Sequence, residues 1–137
     1  MIETFNIRVL LPNRTLDSVA VRVVSTSPGG LLVSGLGFRD QRFTGSDLFN
    51  ALLELRRELE QAGHRLLCGG ARTDVFPSGM SRSMGGGRKV YVMSLGQPAT
   101  HTIDIFDDAE PAAVGTIMQQ KEFHERWIQS LIKLMPK

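Results

Sequence analysis

One stretch, "TGSDLFNALLELRRELEQAG" at 44–63, constrains the fold more than any other. Leu48, Leu52, Leu55 and Leu59 recur at i, i+4, i+7 and i+11, the spacing that stacks side chains along one face of an α-helix. Phe49 and Ala62 widen that stripe, Ser46 or Asp47 can accept from the first free amides, and Gly63 stands where a left-handed C-cap belongs. Arg56 and Glu60 lie one turn apart and are expected to pair on the exposed face. A single amphipathic helix cannot shield its own apolar face, so this one needs a sheet or another helix to cover.

The flanking segments supply strands. In "IETFNIRVLL" Glu3, Phe5, Ile7, Val9 and Leu11 alternate with Ile2, Thr4, Asn6, Arg8 and Leu10, the period-two pattern of a half-buried strand. Pro12 and Asn13 turn the chain, and Val19, Val21 and Val23 then repeat on one face with Arg22 on the other, which predicts an antiparallel hairpin. "SPGG" at 27–30 is a second turn, and "LLVSGLGFR" reads as a third strand interrupted by two glycines. Beyond the helix, "HRLLC" reads as a short buried strand, "RKVYVMSL" as a strand with both faces largely apolar, and "HTIDIF" as one more. Thr116 and Gln119 have capping-box spacing and open a second helix, on which Phe123, Trp127, Leu131 and Leu134 form a stripe flanked by Ile128 and Ile132. The order predicts an α+β domain with a mostly antiparallel sheet of five to six strands and two helices packed on one face. A chain of 137 residues with 42% hydrophobic and 22% charged content fits a single domain over 1–137.

Composition narrows the function classes. One cysteine removes an internal disulfide framework and points to a reducing compartment. No apolar run approaches the ~20 residues that cross a bilayer, and "MIETFNIRVLL" lacks the basic start and unbroken apolar stretch of a signal peptide. The cytoplasm is the expected location, with no membrane association. A net charge of +2 gives weak steering toward polyanions, so nucleic acid is an unlikely partner. Charge is nonetheless segregated along the chain. Five basic residues stand against Asp74 alone between Arg65 and Lys89, and four acidic residues with no basic one run from Asp104 to Glu110. This segregation signals a partner only if folding keeps the two segments apart.

Between the two apolar runs lies "CGGARTDVFPSGMSRSMGGGRK" (68–89), with six glycines and four basic residues. A P-loop needs a second glycine five residues after Gly79, where Met84 stands, and the following segment is a strand instead of a helix. "GGARTD" has the wrong spacing for a dinucleotide fingerprint. No cofactor is expected. Connections this long inside a compact domain are commonly functional or disordered. Val75, Phe76 and Met80 are apolar enough to pin part of the stretch, leaving "SRSMGGGR" as its mobile part. Cys68 sits in an apolar run, and His64, His101 and His124 form no motif with it and an orienting acid, so no catalytic residue is expected. Asp104, Asp107, Asp108 and Glu110 lack the EF-hand spacing and read as an acidic loop, not a metal site.

From Cys68 through "DIFD" to "ERWIQSL", the C-terminal half resembles small bacterial immunity proteins of polymorphic and contact-dependent toxin systems, chiefly at Gly70–Gly87 and Glu125–Trp127. The resemblance implies a cytoplasmic, non-enzymatic, single-domain protein that binds and blocks a cognate toxin domain. Contact is expected through Arg72, Asp74, Arg82, Arg88 and Lys89, with Met80 and Met84 as adaptable apolar contacts. The alternative is a small-anion or nucleotide-binding domain, with or without enzymatic activity, in which loop 69–89 folds over the ligand. That ligand site needs the arginines to converge over a pocket. An inhibitor needs them spread over a patch of about 800 Å². A possible homodimer, formed through an exposed sheet edge, is a third arrangement.

Overall fold

The computed structural model describes residues 3–135. Strands β1 (Glu3–Leu10) and β2 (Leu16–Ser25) pair antiparallel from Glu3 opposite Val23 to Leu10 opposite Leu16, as their alternation predicts. β3 (Gly29–Gly35) and β4 (Phe38–Gly45) extend the sheet beyond β2, and the two-residue β5 (Arg65–Leu66) pairs with the other edge of β1, giving the order β4-β3-β2-β1-β5. A second sheet, ordered β6-β7-β8, is built from Val75–Phe76, Lys89–Ser94 and Gln97–Asp104. Every pairing is antiparallel. The helices are α1 (Leu48–Gln61), α2 (Gly79–Gly85) and α3 (Ile117–Ile132). The fold is α+β.

The strands outnumber those legible in the sequence and divide between two sheets. β4 carries Arg39, Asp40, Gln41 and Arg42 in exposed positions and buries Phe43 alone in its middle, so it lacks the alternation that marks a half-buried strand. Leu36 and Gly37, expected inside a third strand, are the hairpin turn, at φ 51 and 87, and Phe38 begins β4.

Leu48, Leu52, Leu55 and Leu59 of α1 are all buried against the five-stranded sheet, in one cluster with Ile7, Val9, Val19, Val21, Leu31 and Val33. Asp47 is the N-cap, its side chain accepting from the Asn50 amide at 2.8 Å. The sheet approaches this helix start closely. A Cβ on Gly29 would stand 2.1 Å from the Asp47 carbonyl oxygen, and one on Gly45 2.6 Å from the Ala51 nitrogen.

α3 covers the smaller sheet instead. Trp127 and His124 lie 5.3 and 4.6 Å from the Phe76 ring, which stacks on Tyr91 at 5.9 Å. Val75 and Val90 meanwhile join the main core. β6 and β7 therefore carry apolar side chains on both faces, one against the core and one beneath α3, which is why β7 shows no polar side in the sequence, while β8 is mostly exposed. Each sheet has its own helix because Cys68–Lys89 leads away from α1 and begins a new sheet.

Candidate functional site

The stretch 68–89 folds as short regular elements joined by turns. Its first glycines belong to the core. Gly69, Gly70 and Ala71 form a buried 3-10 turn, with the Gly69 amide donating to Asp107 O at 2.7 Å and the Gly70 amide to Ile105 O at 2.9 Å. A Cβ on Gly69 would come within 2.3 Å of the Asp104 carbonyl oxygen, so backbone contact selects glycine there. Val75 and Phe76 then form β6. The segment read as a mobile connector is α2, with the Ser78 hydroxyl accepting from the Ser81 amide at 3.0 Å and Gly86 closing it in the left-handed region at φ 65. The Gly86 carbonyl accepts from the Leu48 amide at 2.7 Å, which ties the end of α2 to the start of α1.

The basic side chains are not gathered. Arg72 is bidentate to Asp74 at 2.9 and 2.8 Å, and its backbone bridges to Val114. Phe5 and Phe106 stack with their centroids 4.5 Å apart, and Arg88 lies against this pair, at 5.1 and 5.0 Å from the two centroids. Its guanidinium donates to Asp104 at 2.8 and 2.9 Å and to Glu3 at 2.9 and 3.2 Å. The Glu3 and Asp104 carboxylates raise the Arg88 guanidinium further above its ordinary range, and Arg88 in turn holds Glu3 below the usual carboxylate range. Lys89 Nζ is 3.8 Å from the same Asp104. Arg82 sits over the Phe49 ring at 5.3 Å, with Nε 3.6 Å from the buried Asp47 carboxylate.

Folding therefore brings the basic and acidic segments together. Asp104 takes Arg88 and Lys89, and Asp108 takes Arg8 in a bidentate pair at 2.8 Å on each oxygen. Of the two segments, Arg88 and Lys89 thus meet Asp104, whereas Arg72 pairs within its own segment and Asp108 pairs with β1.

What the stretch does offer to solvent is apolar. Met80 and Met84 are 72% and 82% exposed, one turn apart on α2, and none of the seven residues of that helix is buried. Beside them runs an open groove of about 400 Å³, lined by Met80, Ser81, Met84, Lys89, Tyr91 and Thr102. At the root of α2 a second groove of about 220 Å³ is lined by Phe49, Leu53, Phe76, Pro77 and His124. Of the residues singled out in the sequence, Met80, Met84 and Lys89 thus share one surface, while Arg82 on the same helix turns to Phe49 and Asp47. Arg72 with Asp74 forms a separate pair, and Arg88 is a strut between β1 and β8. Tyr91, which is not among the expected contact residues, lines the same groove from β7.

Arg56 is a further correction. It does not pair with Glu60 on an exposed face. It is 3% exposed and donates to Gln120 Oε1 at 2.8 Å, Gly70 O at 3.2 Å and Gly115 O at 3.3 Å, while Glu60 accepts from the Ile117 amide at 2.7 Å. The signal was present, because position 56 follows Leu52 by four and precedes Leu59 by three, beside the apolar stripe.

Cys68 is fully buried, and burial pushes its thiol up to about 11, so at neutral pH it stays protonated. Among the described residues no hydrogen bond joins it to a histidine, and no group of three or more His, Cys, Asp or Glu is placed to hold a metal ion. No described helix is long and apolar enough to cross a membrane.

Two substitutions separate strut from surface. Arg88→Ala is expected to cost about 2 kcal/mol, because it removes charged hydrogen bonds to Asp104 and Glu3 and uncovers the stacked Phe5 and Phe106 rings. Arg72→Ala, which breaks one half-exposed pair, should stay within about 0.5 kcal/mol. Urea unfolding of both variants measures the difference, and equal effects would remove the distinction.

No protein-family model matches the chain, and no curated protein matches it.

Proposed function

We propose that this chain is a non-enzymatic binding protein of the immunity type, which blocks a cognate toxin domain through the surface built on α2. The observation that carries this reading is the exposure of Met80 and Met84 on a helix that is capped at both ends and fastened to α1 but buries none of its residues. Two neighbouring methionines held in solvent cost hydration free energy and contribute nothing to the core. Unbranched, polarizable side chains of this kind suit a contact surface that must adapt to a partner. Tyr91 and Lys89, on the adjacent strand, supply an amphipathic ring and a charge at the rim of the same groove.

The pairing of the arginines favours a protein partner over a small anion. An anion cradle needs unpaired donors that converge on one point. Arg72 is satisfied by Asp74, and Arg88 by Glu3 and Asp104.

Tagged protein used as bait in its native cytoplasm should retain a stoichiometric protein domain. Expression of that domain alone should arrest growth, and co-expression of this chain should restore it. The Met80→Asp/Met84→Asp variant should keep its folding stability within about 0.5 kcal/mol, as expected for exposed positions. It should lose both capture and protection. Undiminished protection by this variant would remove α2 from the contact surface, and recovery of the chain with a bound nucleotide or small anion would overturn the inhibitor reading.

A further inference from the structure

The flank of α3 that faces away from Trp127 carries a second surface, separate from α2. Met118, Lys121, Glu125, Ile128 and Ile132 follow one another at spacings of three, four, three and four, so they form a single stripe along the helix. All five are exposed, including the three large apolar side chains. The two charges at the centre of the stripe make no salt bridge among the described residues.

We propose that this stripe docks on the same stripe of a second copy of the chain, with the two α3 helices antiparallel about a two-fold axis level with Phe123. In that register Met118 lies against Ile128 of the second copy, and Lys121 against Glu125 of the second copy. The two-fold repeats both contacts with the roles exchanged. Every apolar position meets an apolar one and every charge meets its opposite. Ile132 reaches beyond the pair toward Val114 of the second copy.

Charge selects this register. A slide of one heptad sets Glu125 against Ile128 and Lys121 against Ile132, so both charges lose water without gaining a partner. A parallel arrangement sets Lys121 against Lys121 and Glu125 against Glu125, which repel. The antiparallel pairing centred on Phe123 is the one that satisfies the whole stripe. With a single helix from each copy in contact, the interface is small, and the dimer is expected to dissociate in the micromolar range.

The proposal uses neither Met80 nor Met84, so it stands or falls apart from the function proposed above. Sedimentation equilibrium of the full chain, from low micromolar to near-millimolar concentration, should show a monomer–dimer equilibrium. Lys121→Glu alone and Glu125→Lys alone should each weaken the dimer about tenfold or more, because each sets like charges face to face twice over. The double variant Lys121→Glu/Glu125→Lys should recover the parental dissociation constant. These positions are exposed, and circular dichroism should show the same fold in all four proteins. A chain that is monomeric throughout the range overturns the proposal, as does a dimer indifferent to the single reversals. A double variant no tighter than the singles overturns the register.

Discussion

Replacement of Arg56 by methionine is expected to destabilise the fold by about 3 kcal/mol, although the new side chain fills much the same space. The guanidinium joins three parts of the chain that are remote in sequence. It extends from the middle of α1 to Gly70 in the buried 3-10 turn, to Gly115 before α3 and to Gln120 on α3 itself. Its partners are two carbonyls and an amide oxygen, with no carboxylate among them. Burial accordingly draws its pKa down from the usual arginine value, the largest of the influences on it.

Two opposing terms decide the sign. Methionine relieves the desolvation of a buried charge, which favours the variant. It also strands Gln120 Oε1 and Gly115 O without donors in a place water does not reach, at about 1–3 kcal/mol for each orphaned acceptor. Gly70 O is spared, because Gln120 Nε2 also donates to it at 2.9 Å. The orphaned acceptors outweigh the relief, since arginine remains charged in either state and three of its N–H groups are matched here. Lysine cannot substitute, because one ammonium cannot reproduce a planar fork aimed at separate acceptors. Denaturant unfolding of Arg56→Met, Gln120→Leu and the double variant supplies the coupling energy, which should exceed about 1 kcal/mol if the two side chains act as one brace. An Arg56→Met protein within about 0.5 kcal/mol of the parent would show that α1 and α3 are held together by packing alone.

Arg56 also marks where sequence pattern stops being informative. Periodicity located α1 through its leucines and located β1 and β2 through their alternation. The capping box of α3 appears with both arms made, Thr116 Oγ1 accepting from the Gln119 amide at 3.0 Å and Gln119 Oε1 from the Thr116 amide at 2.8 Å. These are local signals. The pattern around position 56 says that a charged residue borders an apolar stripe, but not that acceptors wait at 70, 115 and 120. Arg88 is similar, since one of its carboxylates belongs to Glu3 at the opposite end of the chain. β6 is too short to show a period, and α2 has glycine at both ends and two serines, whose weak helical preference is offset by Ser78 and Gly86 as caps. Met80 and Met84 could be recognised in the sequence as apolar residues in a polar stretch. Their exposure side by side became visible only once α2 was known to be a helix.

Trp127→Ala is expected to be the most damaging of the changes considered, at about 3–5 kcal/mol, the range for deletion of a large buried aromatic. The indole is buried against Phe76 and donates from Nε1 to the Gln97 carbonyl at 2.8 Å, at the turn between β7 and β8. One turn later Ser130 Oγ accepts from the Gly96 amide at 2.8 Å while donating to the Trp127 carbonyl at 2.6 Å. Trp127 thus seats α3 on the small sheet by packing and fastens it to the same hairpin by a hydrogen bond. Trp127→Phe separates the two contributions. It keeps most of the apolar contact with Phe76 and loses the bond to Gln97, so it should cost about 1–2 kcal/mol. The five-stranded sheet and α1 bury most of the core without the indole, so damage should appear first around Phe76 and Tyr91, beneath α3. Amide exchange of β7 and β8 should accelerate in Trp127→Ala more than exchange of β1 and β2. If the alanine variant instead unfolds at the parental denaturant concentration, Trp127 contributes nothing to the core, and its ring is free to serve as an anchor in an interface.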